Sequence, residues 1–263
     1  DTSYSYKSYL TSNNDKINLS WNTDYTKTFE SDENKELSIS YQIGNRIKKN
    51  NTDINENNGL NDVNNINNEH NLEHTIQVDY CHPIDKQLVE IGSKMIIRDQ
   101  KMNYQTNSDN YELIFPREVF NYTQTVNAFY ISSELNFEEA FSVLLGTRYE
   151  LTNIKGNWQN NSQERFSENY SNILPNITLS KSIDDGKSIK LSYNSRISRP
   201  SSSYINTNTN ISDNKNITIG NPNLTPSNTT QIELGYNSFG RKYQGSYYAY
   251  YKQSKNLIES FVR

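Results

Sequence analysis

Apolar and polar residues alternate with a period of two along much of this chain, and that rhythm belongs to strands. Ile17, Leu19, Trp21 and Tyr25 share one side, against Asn18, Ser20, Asn22 and Asp24. Leu37, Ile39, Tyr41 and Ile43 repeat the pattern, as do Leu72, Ile76, Val78 and Tyr80. Later come Ile189, Leu191 and Tyr193, then Ile232, Leu234 and Tyr236. Val89–Arg98, Val126–Leu135, Phe141–Leu151 and Tyr243–Lys252 alternate less cleanly but are rich in aromatic and β-branched residues, which suit a pleated surface. Helical spacing is hard to find anywhere. The expectation is an all-β chain of about ten strands.

The breaks between these segments alternate between short and long. Short connections are expected near Glu30–Lys35, Pro83–Lys86, Asn136–Ala140, Asp184–Lys187 and Gly240–Lys242. Asp185-Gly186 is a strong hairpin signal, because both turn positions favour positive φ. Long connections are expected near Lys48–Glu69, Gln105–Arg117, Gly156–Asn169 and Arg199–Ser227, all dominated by Asn, Ser, Thr and Asp. In an up-and-down meander this puts every short turn at one end and every long loop at the other. Antiparallel transmembrane barrels have that asymmetry, with short periplasmic turns and long extracellular loops. A sandwich with Greek-key crossings breaks it. Each segment also supplies the roughly 9–11 residues that a tilted strand needs to cross a bilayer.

Composition agrees. Hydrophobic residues make up only 33% of the 263 residues, and 20 Tyr are included in that share. A soluble domain carries roughly 45–50% apolar residues, glycine included. A net charge of −4 and 12% aromatics argue against disorder, which goes with high charge and few aromatics. A barrel with lipid on one face and a polar lumen on the other needs no large core. No run approaches the roughly 20 apolar residues of a membrane helix. Cys81 is the single cysteine and excludes an intrachain disulfide framework. The weakly acidic balance offers no basic patch for nucleic acid. Tyr247, Tyr248, Tyr250 and Tyr251 crowd one strand, and Tyr25, Tyr41, Tyr80 and Tyr193 sit near strand ends, where an interfacial girdle would place them.

One stretch carries motifs. Tyr193-Asn194-Ser195-Arg196-Ile197-Ser198-Arg199-Pro200-Ser201 leads into a long polar connection. That connection ends in Gly220-Asn221-Pro222-Asn223-Leu224-Thr225-Pro226, and Gln231-Ile232-Glu233-Leu234-Gly235-Tyr236 follows. This resembles the TonB-dependent receptors, closest to their Bacteroidota-type barrel, in which a "Y-S-R-R-I-x-R-P-S" strand enters a loop closed by "G-N-P-N-L-x-P-E". Ser227 stands where the acidic residue is usual. Asp79-Tyr80-Cys81-His82-Pro83 and Gly146-Thr147-Arg148-Tyr149-Glu150 resemble further family segments. The similarity runs over about residues 10–263, with residues 191–240 its specific part. It implies a barrel of ~22 strands around a plug. Residues 1–263 would then be a partial barrel domain, with the plug, the TonB-contacting segment and the closing strands lying outside this chain.

Candidate residues follow. Asp79, Lys190, Arg196 and Glu233 project into the lumen if the alternation holds, where they would tune selectivity or pair with neighbours. Gly220, Asn221, Pro222, Asn223 and Pro226 read as a structural motif: the prolines belong where strand pairing has stopped, and the glycine permits an unusual backbone. His70, His74 and His82 lack the tight spacing of a metal site, and Glu138-Glu139 fall in a predicted turn. No phosphate loop or nucleophile elbow is present, so no catalytic, cofactor or metal site is assigned. The expected partners are outer-membrane lipid, a TonB-type energy-coupling protein and a small-molecule or oligomeric nutrient, with no nucleic acid. Siderophore, oligosaccharide and peptide stay open as cargo. Two rivals remain: an outer-membrane structural or adhesion barrel, and a secreted soluble β-rich binding protein consistent with the mean hydropathy of −0.91. The soluble reading requires the Ile17/Leu19 and Ile232/Leu234 faces to pack against protein.

Overall fold

The computed structural model describes residues 7–30, 32–56, 62–85, 87–108, 115–137, 140–159, 165–184, 186–207, 210–213 and 216–260. Ten strands form one antiparallel meander. They are β1 (Ser8–Phe29), β2 (Asp32–Glu56), β3 (Val63–Ile84), β4 (Gln87–Ser108) and β5 (Phe115–Phe137), then β6 (Phe141–Trp158), β7 (Arg165–Asp184) and β8 (Lys187–Ser198). After one turn of helix, α1 (Ser202–Ile205), a two-stranded hairpin of β9 (Asn210–Asp213) and β10 (Asn216–Thr218) interrupts the order. The meander then resumes with β11 (Ser227–Phe239) and β12 (Gln244–Lys255). Sheet order follows chain order from β1 to β8 and on to β11 and β12, and the sheet does not close on itself.

The ladder register explains why a period-two sequence becomes a membrane wall. Directly opposed residues in an antiparallel pair point to the same face. Ile39 opposes Val78, Ile76 opposes Met95, and Ile91 opposes Ile131. Phe129 opposes Tyr149, Leu145 opposes Ile177, Leu179 opposes Leu191, and Leu191 opposes Leu234. One apolar band therefore crosses every strand without changing side. It faces away from the rest of the chain: Leu19 is 63% exposed and Leu234 50%. A soluble core would bury both residues, and this chain does not.

The buried residues lie elsewhere, most of them on the polar face toward the long-connection end. Phe120, Tyr122, Met102, Ile154 and Trp158 form the cluster there. Above the band the outer face turns polar, with Asp99 accepting from the Thr123 hydroxyl at 2.8 Å.

The expected short turns are observed, with the strands meeting across 84–87, 137–141, 184–187 and 239–244. Gly186 has φ +78, and a Cβ there would collide with the Phe239 carbonyl, so two constraints select glycine. Asp185, Glu138 and Glu139 lie outside the described residues. Three of the four long connections are shorter than the sequence suggested, while the one from Arg199 keeps its expected length. β2 runs on to Glu56 and β3 begins at Val63, so most of the Asn-rich stretch 48–69 is paired strand. Asn side chains that compete with the ladder in isolation here bond across it, as Asn64 does to Asn51 at 2.8 Å and Asp53 at 2.6 Å.

One ladder stops early. β7 pairs with β8 only up to Asn176↔Asn194, although β7 itself continues to Arg165. Pro175 is the next residue, and with no amide donor it cannot extend the ladder. β8 carries on beside β11 alone, as far as Ser198↔Ser227. The wall forks at this point, and the longest connection departs from the fork.

Leu234 opposes Leu191 and Ala249 in the apolar band. Leu234→Arg in the full-length protein is expected to cost roughly 2–4 kcal/mol of folding into bilayers if the site is near midplane, read from denaturant titration in lipid vesicles. An unchanged midpoint would remove this face from the membrane.

Candidate functional site: the polar face and its inward strap

Side chains opposite the apolar band form a linked polar wall. Asp79 on β3 accepts from the Tyr130 hydroxyl on β5 and from Gln77 Nε2 at 2.8 Å. A Cβ on Gly92, which lies between them in the register, would collide with the Tyr130 ring and the Asp79 carboxylate. The Arg148 guanidinium of β6 sits 5.3 Å from the Tyr130 ring centroid, a cation–π distance. Arg148 Nε also donates to Glu150 Oε1 at 2.5 Å. Higher up, Arg98 Nε donates to Glu73 at 2.7 Å, Arg98 Nη1 to Gln124 Oε1 at 2.7 Å, and Arg46 to Glu69 at 2.8 Å. Arg46–Glu69 and Arg98–Glu73 join neighbouring strands, while Arg148–Glu150 lies within β6.

The four charged candidates do not converge. Asp79 lies in the β3–β5 network just described. Lys190, Arg196 and Glu233 lie on β8 and β11, opposite Gly235, Thr229 and Ser192 respectively. Lys190 and Arg196 are exposed on that face, while Glu233 accepts from Gln231 Nε2 at 3.0 Å. The tyrosine-rich strand divides between faces: Tyr247 and Tyr251 join the apolar band opposite Tyr236 and Ile232, whereas Tyr248 opposes Gly235 and donates to Asn237 at 3.1 Å on the polar side. Only half of that cluster can serve a girdle. Among the described residues no group of three His, Cys, Asp or Glu is placed to hold a metal ion. His74 bonds Tyr41 at 2.9 Å, and His70 bonds Asn45 at 2.8 Å.

The connection from Arg199 to Pro226 gives this face its shape. It turns inward and lies across the wall as a strap. At its first residue, Arg199 Nη2 donates to Glu150 Oε2 and, at 2.9 Å, to Thr152 Oγ1, while Nε donates to Thr152 at 3.2 Å. α1 follows, and Ile205, 2% exposed, enters the cluster of Phe120, Tyr122, Met102, Ile154 and Trp158. The Phe120 and Trp158 rings stack at 4.5 Å, and Trp158 Nε1 donates to Asn206 Oδ1 at 3.0 Å. An indole N–H buried this deeply needs such a partner. Beyond α1 the hairpin reaches far enough for β9 to lie against β2.

The Gly220-Asn221-Pro222-Asn223-Leu224-Thr225-Pro226 segment closes the strap. Gly220 N–H donates to Asn206 O at 2.9 Å and Asn221 N–H to Tyr204 O at 2.7 Å, which clamps the outgoing limb to the ingoing one. A Cβ on Gly220 would strike those same carbonyls. Asn221 Oδ1 accepts from Asn223 N–H at 3.0 Å, an Asx turn. Pro200, Pro222 and Pro226 line a cavity of about 200 Å³ with Phe166 and Tyr170 of β7, beside the fork.

Sequence reasoning did not assign the roles of Tyr130, Arg148, Glu150, Trp158 and Ile205. Arg148 and Glu150 were within reach, since an i, i+2 pair of opposite charges on a strand shares one face. Trp158 and Ile205 gave no signal, because their contact spans 47 positions of chain and depends on the strap folding inward.

The chain belongs to the outer membrane protein beta-barrel family, which it matches over residues 27–263. It is therefore an outer-membrane protein of a Gram-negative bacterium, and its sheet is part of a barrel wall. No curated protein sequence matches it. Among solved structures, the alcaligin outer membrane receptor FauA from Bordetella pertussis is similar with a TM-score of 0.60 at 14% identity, over 95% of this chain and 39% of that one. The unliganded ferric citrate transporter FecA has a TM-score of 0.64 at 10% identity, over 93% and 36%. BauA, the ferric preacinetobactin receptor from Acinetobacter baumannii, has 0.57 at 11%, over 92% and 37%. This chain thus spans well under half the length of each. At these identities the likeness is one of fold.

Ile205→Ala in the full-length protein is expected to loosen the strap by about 2–5 kcal/mol, the usual range for emptying a buried aliphatic site. Protease added to intact cells should then cut within 199–226 at least tenfold faster, with the wall strands still protected. Equal cutting rates would mean that Ile205 does not hold the strap.

Proposed function

We propose that this chain is the wall section of a TonB-dependent receptor of the Bacteroidota type, a partial barrel domain over residues 1–263 within a wall of ~22 strands around a plug. The receptor imports a scarce nutrient, a siderophore, oligosaccharide or peptide, captured at the long-loop end. Energy comes from an inner-membrane partner through a TonB-type protein that contacts segments outside this chain. The observation that carries the reading is the strap. A wall that only anchored or adhered would gain nothing from a long connection folded onto its polar face and fixed there through Arg199, Asn206 and Ile205. A transport wall does, because its mouth must admit one cargo and exclude others.

Further support comes from the fold shared with receptors whose names specify alcaligin, ferric citrate and ferric preacinetobactin, and from the paired polar wall, which suits a water-filled or plugged lumen. Asp79, Lys190, Arg196 and Glu233 are proposed as lumen-facing residues that tune the passage. Gly220, Asn221, Pro222, Asn223 and Pro226 are proposed as its structural loop motif. We assign no catalytic role to any residue.

Cells with and without the full-length protein are to be given labelled ferric siderophores, oligosaccharides and oligopeptides, with and without a protonophore. The expected result is at least tenfold lower accumulation of one class when the protein is missing, and a similar loss on uncoupling. Unchanged uptake of all three classes, with the protein correctly in the outer membrane, would favour the structural or adhesion barrel.

A further inference from the structure

Among the described residues a single ion pair joins the strap to the wall, and it is Arg199 with Glu150. The other ion pairs lie within the wall, linking Arg46 to Glu69, Arg98 to Glu73, Arg148 to Glu150 and Lys187 to Asp184. The strap is also held by the Arg199 hydrogen bonds to Thr152, by Ile205 in its aromatic cluster and by the Trp158–Asn206 hydrogen bond, none of them an ion pair.

We propose that Arg199 and Glu150 are positioning residues that latch the strap across the polar passage. Glu150 is 5% exposed, and such a carboxylate requires close cationic partners. It has two, one on each oxygen: Arg148 from its own strand, and Arg199 from the strap. Arg148 belongs to the wall and stays whatever the strap does. Arg199 is the strap's entry residue, and Pro200 behind it fixes φ, so the guanidinium anchor sets the direction in which the chain leaves β8.

The two limbs are clamped together by Gly220 and Asn221 on residues 204–206, so a displacement at Arg199 is passed to the exit limb as well. The fork above Pro175 leaves room for that displacement without breaking any β7–β8 pair. The aromatic cluster resists by packing, which is short-ranged and lost once the surfaces part. The ion pair is the contact that recaptures the strap as it returns. Its consequence for uptake rests on the transporter reading, whereas the latch itself can be tested without any cargo.

The test is hydrogen exchange by mass spectrometry on purified full-length protein in detergent, comparing wild type with E150Q, R199Q, R199K and the E150Q/R199Q double variant. Strap peptides covering residues 202–206 and 219–224 are expected to exchange at least tenfold faster in E150Q and in R199Q. The double variant should exchange no faster than R199Q alone, because R199Q already removes the Arg199–Glu150 contact along with the Arg199 hydrogen bonds to Thr152. R199K, which keeps the charge but loses the fork-shaped donor set, should fall between wild type and R199Q. Peptides from β6 and β11 should be unchanged. Unaltered strap exchange in both single variants would overturn the latch. So would acceleration spreading through β6, or additive effects, since either marks Glu150 as a wall residue only. Failure of the uptake assay with accelerated strap exchange would leave the latch standing and remove the transport reading.

Discussion

In hydrocarbon a backbone N–H or C=O has no water to bond to, and each one left alone costs several kcal/mol. This requirement sets the register of the sheet, and the register sets everything else. Because each strand from β1 to β6 is paired with its neighbour over nearly its full length, a residue's parity decides its solvent for the whole wall. Ile76, Met95 and Leu234 lie on the apolar face, while Gln77, Lys94 and Glu233 lie on the polar one, with one peptide unit between the two environments. A one-residue slip would exchange them all.

The polar face is organised by a different physics. A lumen is wet, so an exposed ion pair there is worth at most about 1 kcal/mol, and Arg46–Glu69 and Arg98–Glu73 fall into this class. Glu150 does not, because the strap covers it. The same chemical pair is marginal where water reaches it and decisive where a loop seals it, so the position of the strap and the strength of its anchor reinforce each other. The aromatic cluster adds the apolar part of that seal. It is the closest this chain comes to a conventional core, and it serves a connection more than the wall.

The wall was legible in the sequence because its physics is local. Period-two alternation, Asp185-Gly186 between two runs, and the rhythm of short and long breaks each involve residues a few positions apart. They yielded the ten strands and their order. The sequence was less informative where two local signals compete. Asn50, Asn51, Asn64 and Asn65 each favour irregular structure alone, yet the ladder takes them up as strand once β2 and β3 are aligned. Pro175, inside a segment that reads as strand, was the one residue that could have marked the fork. The strap was visible as motifs but not as a shape. Nothing in Arg199-Pro200-Ser201 or Gly220-Asn221-Pro222 states that the chain between them turns inward, because the Arg199–Glu150 and Trp158–Asn206 contacts join segments 49 and 48 positions apart.

The length of the strands has a consequence for how the molecule presents itself. At about 3.3 Å per residue, the 25 residues of β2 extend roughly 80 Å. At a tilt near 40° that is about 60 Å of height, of which the apolar band takes about 25 Å. The headgroup regions take up about 15 Å more, and what is left stands clear of them as a collar of paired, Asn-rich strand. Whatever approaches from outside meets this collar before it meets the lipid. Away from the Phe120–Trp158 cluster, sequence change there is limited mainly by ladder pairing, so that part of the collar can vary while the band beneath it stays fixed.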